Sequence, residues 1–163
     1  MPNLKDLKNR IDSVKSTKKI TKAMQMVAAA KLRRAQEAAE NARPYAERFD
    51  AVMGQLAASV GDSETAPKLL RGTGKDDTHL LLVMTSEKGL CGGFNTNIVK
   101  KSIVRIKQSL NDGKTVKIIT VGKKGRDVLR RQYREHLIDH VDLSEVKRLG
   151  YGDAQDIARG VLE

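Results

Sequence analysis

The stretch K19-ITKAMQMVAAAKLRRA-Q36 decides how the rest of the chain is read. It has no Gly or Pro, and alanine, lysine, arginine, glutamine and methionine are strong helix formers. It also holds Lys19, Lys22, Lys31, Arg33 and Arg34 with no acid among them. A helix buried in a small domain has little use for so much charge of one sign. The reading is therefore a helix that packs along one stripe and shows its cations to something acidic.

Working outward, the helix extends both ways. Neither Pro nor Gly occurs from Asn3 to Arg43. Leu4, Leu7, Ile11 and Val14 step by 3, 4 and 3. After a polar interruption at Thr17, Lys18 and Thr21 the stripe resumes at Met24, Val27 and Ala28. Ala35, Ala38, Ala42, Tyr45, Phe49, Val52 and Leu56 then alternate steps of 3 and 4, the spacing of a heptad seam. The seam is Leu7, Ile11, Val14, Met24, Ala28, Ala35, Ala42 and Phe49. Pro44 should kink it or open one turn, and Gly54 then Gly61 suggest its end. Alanine lets another helix approach closely but buries little area. At about 25 cal/mol per Å² such a stripe needs a long partner helix, and this sequence supplies none. A second subunit, a second copy or a further part of the gene product is expected to fill that place.

Charge follows the same division. Residues 5–34 hold ten Lys/Arg against Asp6 and Asp12, a net +8 of the chain's +11. That segment should meet nucleic acid, an anionic membrane or an acidic protein surface. The composition is 31% charged and 3% aromatic, with no Trp. Stacking platforms for single strands are therefore missing, and the apolar seam runs straight through the basic zone. A basic coiled-coil nucleic-acid-binding protein is kept as the alternative. The single cysteine, Cys91, excludes an intrachain disulfide and suits a reducing compartment. No run reaches the roughly 18 apolar residues of a membrane span, and the N-terminus has no signal-peptide core.

Beyond the helix, residues 58–77 are rich in Gly, Pro, Ser and Asp and read as linker. Then H79-LLLVMT-S86 reads as a buried strand, with a helix after it paced by Phe94, Ile98, Ile103, Ile106 and Leu110 and capped at Asn95 or Thr96. A second strand follows at 115–121, a helix from G122-KKGRDVLRR-Q132, a weaker strand at 135–143, and a further helix at the end. The fold class is α/β: a shaft helix over 1–57, a linker, and a partial Rossmann-like domain over 78–163 with a mostly parallel sheet. Three strands make a thin sheet and the last helical pattern has no stop signal, so the chain reads as a fragment.

The loop S86-EKGLCGGF-N95 lies where α/β folds place ligands. Its glycines, at 89, 92 and 93, match neither a dinucleotide fingerprint nor a Walker A loop. Gly89-Leu90-Cys91-Gly92-Gly93 does fit a nucleophile elbow, which would require His136 or His140 with Asp127 or Asp139 as partners. The chain after it is short for such a hydrolase, and a tight turn or protein-contact loop is preferred. His79, His136 and His140 lack metal-ligand spacing, and no catalytic residue, metal or cofactor is expected.

K19–Q36, the R43-PYA-E47 that follows it, and S86–N95 together resemble the gamma subunit of F-type ATP synthase, over the whole chain. The resemblance implies a non-catalytic, nucleotide-free rotor subunit in the central stalk. A second long helix of the same gene product would clasp the first. The coiled coil would turn inside the ring of alpha and beta subunits. The α/β domain would stand on the c-ring beside the epsilon subunit, transmitting torque from proton flow to ATP synthesis. Lys22, Met24, Lys31, Arg33, Arg34, Lys88 and Cys91 would meet the acidic loop of beta. The location implied is peripheral, on the cytoplasmic face of a bacterial inner membrane, or on the matrix side of the mitochondrial inner membrane.

Overall fold

The computed structural model describes residues 3–60 and 65–162. The chain separates into two compact units, Met1–Thr73 and Gly74–Glu163.

The first unit is dominated by α1, Leu4–Val60, 57 residues without a break. At 1.5 Å per residue its length is about 85 Å. Asn3 caps its start: its side-chain oxygen accepts the Lys5 amide at 3.3 Å and its carbonyl accepts the amides of Asp6 and Leu7. Asp6 in the first turn complements the positive end of the helix dipole. Thr17 and Thr21, which interrupt the apolar stripe, return their hydroxyl protons to the carbonyls of Ser13 and Thr17. The helix runs through Pro44, so no turn opens there, and it passes Gly54, the first of the two expected stops, to reach Val60. Strong helix formers on both sides carry the chain through each local defect. Gly61 lies outside the described residues, as do the other positions of 61–64. The expected linker loses its first residues to α1 and holds one helical turn, α2 (Lys68–Arg71), between Pro67 and Gly72.

The second unit alternates β1 (Thr78–Met84), α3 (Phe94–Asn111), β2 (Thr115–Val121), α4 (Lys123–Leu129), β3 (Leu137–Val141) and α5 (Tyr151–Leu162), with a 3-10 turn at Arg134–His136. The sheet order is β1-β2-β3 and both pairs are parallel. β2 is central, and from Ile118 to Val121 it is buried on both faces, as a parallel strand covered by helices must be. Ile106, Ile118 and Leu129 are fully buried and anchor a core completed by Val83, Val99 and Val116. The sequence reading placed the outer strands too generously. β1 ends at Met84, so Thr85 and Ser86 belong to the loop, and β3 is five residues long because Glu135 and His136 lie in the 3-10 turn. Gly93, not Asn95 or Thr96, occupies the N-cap of α3. The Asn95 side chain has another use.

Candidate functional site

The first candidate surface is α1 itself. None of its residues is buried. Leu7, Ile11, Val14, Met24 and Phe49 of the seam all stand exposed, and Tyr45 and Phe49 stack on each other with centroids 6.1 Å apart. At 100° per residue the basic residues do not form one patch. Lys22 and Arg33, 11 positions apart, share one azimuth to within about 20°. Met24 and Lys31, seven apart, share another roughly opposite, on the side of Ala28, Ala35 and Ala42; Arg34 lies between. The helix therefore carries a cationic ridge and, across from it, an apolar seam with a lysine beside it. One cation of the group is answered: Arg33 Nε meets Glu37 at 3.0 Å, four residues on. Both side chains are largely in water, so the pair stabilises the helix by about 0–1 kcal/mol and leaves the charge surplus in place.

The second candidate is the loop between β1 and α3. It is held at both ends. At one end Thr85 accepts the Gly125 amide on its hydroxyl at 2.8 Å, and its own amide donates to the Val121 carbonyl at 2.8 Å. At the other, Asn95 accepts the Ser86 amide at 3.0 Å and donates to Cys91 Sγ at 3.2 Å. Glu87 acts as a strap. Its carboxylate accepts the Lys123 amide at 2.9 Å and the Leu143 amide at 2.8 Å, tying the loop to the start of α4 and to the segment after β3. The apex is left out in water: Lys88 and Cys91 are exposed and Leu90 is 100% exposed. Leu90 also has φ +62, the left-handed region that a branched side chain rarely enters. Leu90 is a large apolar side chain held outward on a strapped loop; the sequence reading preferred a tight turn or protein-contact loop here but did not single out this residue. The signal was a lone leucine among glycines.

The hydrolase arrangement is not assembled. Cys91 has Asn95 and Ser86 as neighbours. The imidazole bonds run elsewhere: His79 to Ser109 and Asp76, His136 to the Val116 carbonyl, His140 to Thr120. Asp76 gathers Lys114 at 2.8 Å and His79 at 2.7 Å, and the hydrogen bond from Lys114, then that from His79, lowers its pKa to about 2. No cluster of three metal-ligating side chains exists among the described residues, and no described helix is long and apolar enough to cross a membrane.

One unit is thus a long helix with an exposed apolar seam, and the other a small α/β unit on a three-stranded parallel sheet. The comparisons make the class specific. Residues 3–163 match the ATP synthase family. The ATP synthase gamma chain of Jannaschia sp. (strain CCS1) is 72% identical over 162 residues, 99% of this chain and 55% of that relative. That of Ruegeria pomeroyi is 72% identical over 162 residues, 99% of this chain and 56% of its own length. Among solved structures, the central stalk/c-ring of Tetrahymena thermophila mitochondrial ATP synthase superposes with a TM-score of 0.64 at 31% identity, over 87% of this chain and 58% of that one. The chain belongs to the ATP synthase gamma-chain family, and it spans about half the length of the curated relatives it matches.

Proposed function

We propose that this chain is the leading half of a central-stalk rotor subunit that carries torque between a membrane c-ring and catalytic beta subunits. The observation that carries the reading is α1: 57 residues, none buried, with an apolar seam on one side and a cationic ridge on the other. The seam takes a second long helix, supplied by a later part of the same gene product. The ridge, with Lys22, Arg33 and Arg34, and the seam-side pair Met24 and Lys31 face the acidic loop of beta, and Lys88 and Cys91 approach it from the strapped loop. The α/β unit is the foot, seated on the c-ring beside epsilon. The subunit binds no nucleotide and performs no chemistry itself. The assembly lies peripherally on the cytoplasmic face of a bacterial membrane.

The physical requirement is contact that pushes without holding. Exposed ion pairs contribute about 0–1 kcal/mol each and can be exchanged between equivalent acidic partners as the shaft turns. An apolar patch of equal area would fix one position. In the experiment, the full-length product is expressed with alpha and beta and the complex is purified. Co-purification is expected, and in membrane vesicles that carry the complete synthase Met24→Lys should leave assembly intact while lowering ATP-driven proton pumping per ATP hydrolysed. A full-length product that ignores alpha and beta sinks the reading, and full coupling in Met24→Lys sinks the Met24 contact.

A further inference from the structure

The apolar seam of α1 keeps one phase along the helix, and its polar interruption falls inside that phase. Leu7, Val14, Ala28, Ala35, Ala42 and Phe49 are spaced by seven residues, except that the place between Val14 and Ala28 is taken by Thr21. On the flanking line Leu4, Ile11 and Leu32 follow the same interval, and the two places between Ile11 and Leu32 are Lys18 and Gln25. From Val14 to Ala28 the steps are therefore 4, 3, 4 and 3, through Lys18, Thr21 and Gln25. The helix is continuous there and all three residues are exposed. A straight helix that covers Leu7–Val14 and Ala28–Phe49 has to cross this polar layer as well.

Nothing on α1 answers Lys18. The positions one turn away, Val14, Lys15, Thr21 and Lys22, are neutral or basic. The nearest acid, Asp12, is six residues back and about 120° round the helix. Lys18 is in no ion pair among the described residues. The Thr21 hydroxyl already donates to the Thr17 carbonyl at 2.8 Å. That leaves the Lys18 ammonium and the Gln25 amide as the groups a covering helix must meet. An ammonium taken out of water is costly unless an opposite charge meets it.

We propose that the helix covering the seam carries a carboxylate at the level of Lys18, that this pair sets the register of the clasp, and that the helix is a later segment of the same gene product. The inference rests on the rotor reading for the existence of that segment and adds the chemistry of one of its residues. The curated relatives are nearly twice as long as this chain, which is room for a helix matching the 57 residues of α1. One charged layer in an apolar seam admits one alignment. Sliding by a heptad, about 10 Å, would set Lys18 against apolar side chains and strand the acid.

The test is zero-length carbodiimide coupling of the full-length product, read by peptide mass spectrometry. The reagent activates a carboxylate, and an amine in contact with it displaces the reagent as its urea and forms an amide. The Lys18 peptide should appear joined to an Asp or Glu peptide from beyond residue 163. Lys18→Met, which strands the carboxylate, should melt below wild type, and Lys18→Arg, which keeps the charge, should melt with wild type. A lysine that only reached out to water would give the opposite sign, because methionine improves an apolar seam. Both measurements are made whether or not alpha and beta co-purify, so loss of the rotor reading and loss of this pair are read separately. The proposal is overturned if Lys18 stays uncoupled, if it couples to another subunit, or if Lys18→Met melts no lower than Lys18→Arg.

Discussion

Gly122→Ala should be among the most damaging small substitutions in this chain, and its cost can be worked out. Gly122 follows the last residue of β2 with φ +93, where an L side chain costs about 1–2 kcal/mol. A Cβ there would lie 2.1 Å from the Thr85 carbonyl oxygen, and that obstacle is backbone. Relief requires the ends of β1 and β2 to part. That breaks the Thr85 amide bond to Val121 and the Gly125 amide bond to Thr85, each 2.8 Å long. At about 1 kcal/mol net for each bond, the total is about 3–4 kcal/mol. Gly113→Ala is the control. It has φ +72 but open space around it, so strain acts alone at about 1–2 kcal/mol. The difference of about 2 kcal/mol corresponds to roughly 8–16 °C in a unit of this size. Differential scanning calorimetry of the full-length protein should show the Gly122 variant melting well below the Gly113 variant. Equal melting temperatures would refute the close-approach argument.

Leu129→Ala removes a fully buried side chain from the centre of the core and should cost about 2–5 kcal/mol in urea unfolding. Asp76→Asn tests the Lys114–His79 cluster through pH. The folded pKa is about 2, below the ordinary carboxylate value of 3.8, so the contribution is present above about pH 4 and is lost as pH falls toward 2. Wild type and variant should therefore differ in melting temperature at neutral pH and converge near pH 2; a constant gap would contradict the assignment. Asn95→Ala frees Ser86 and Cys91 together, so maleimide should label Cys91 faster than in wild type, and an unchanged rate would mean that Asn95 does not order the loop.

The elements legible in the sequence were those whose signal is local. Val116, Ile118 and Ile119 mark the central strand, whereas the equally apolar run of β1 leaves Leu80, Leu82 and Met84 exposed on one face, and the 3-4 stepping of α1 needs no tertiary information. What escaped depends on distant partners. Asn95 looks like a helix cap by type and place, yet the Ser86 amide, nine residues back, claims its side chain. Glu87 looks like a solvated acid and proves a strap because Lys123 and Leu143 arrive beside it through the fold. At Pro44 the local rule allowed an opened turn, and the propensity of the residues around it kept the helix continuous.

That proline still leaves a mark. Having no amide hydrogen, it cannot bond the carbonyl four residues earlier, at Glu40, and its ring crowds that oxygen. The rung missing between Glu40 and Pro44 makes this turn the softest point of an otherwise uniform rod. Flexure will gather there, between the alanine-rich section before it and the Tyr45–Phe49 section after it. A bending load on α1 meets a compliant joint at a fixed place rather than curvature spread along the whole length.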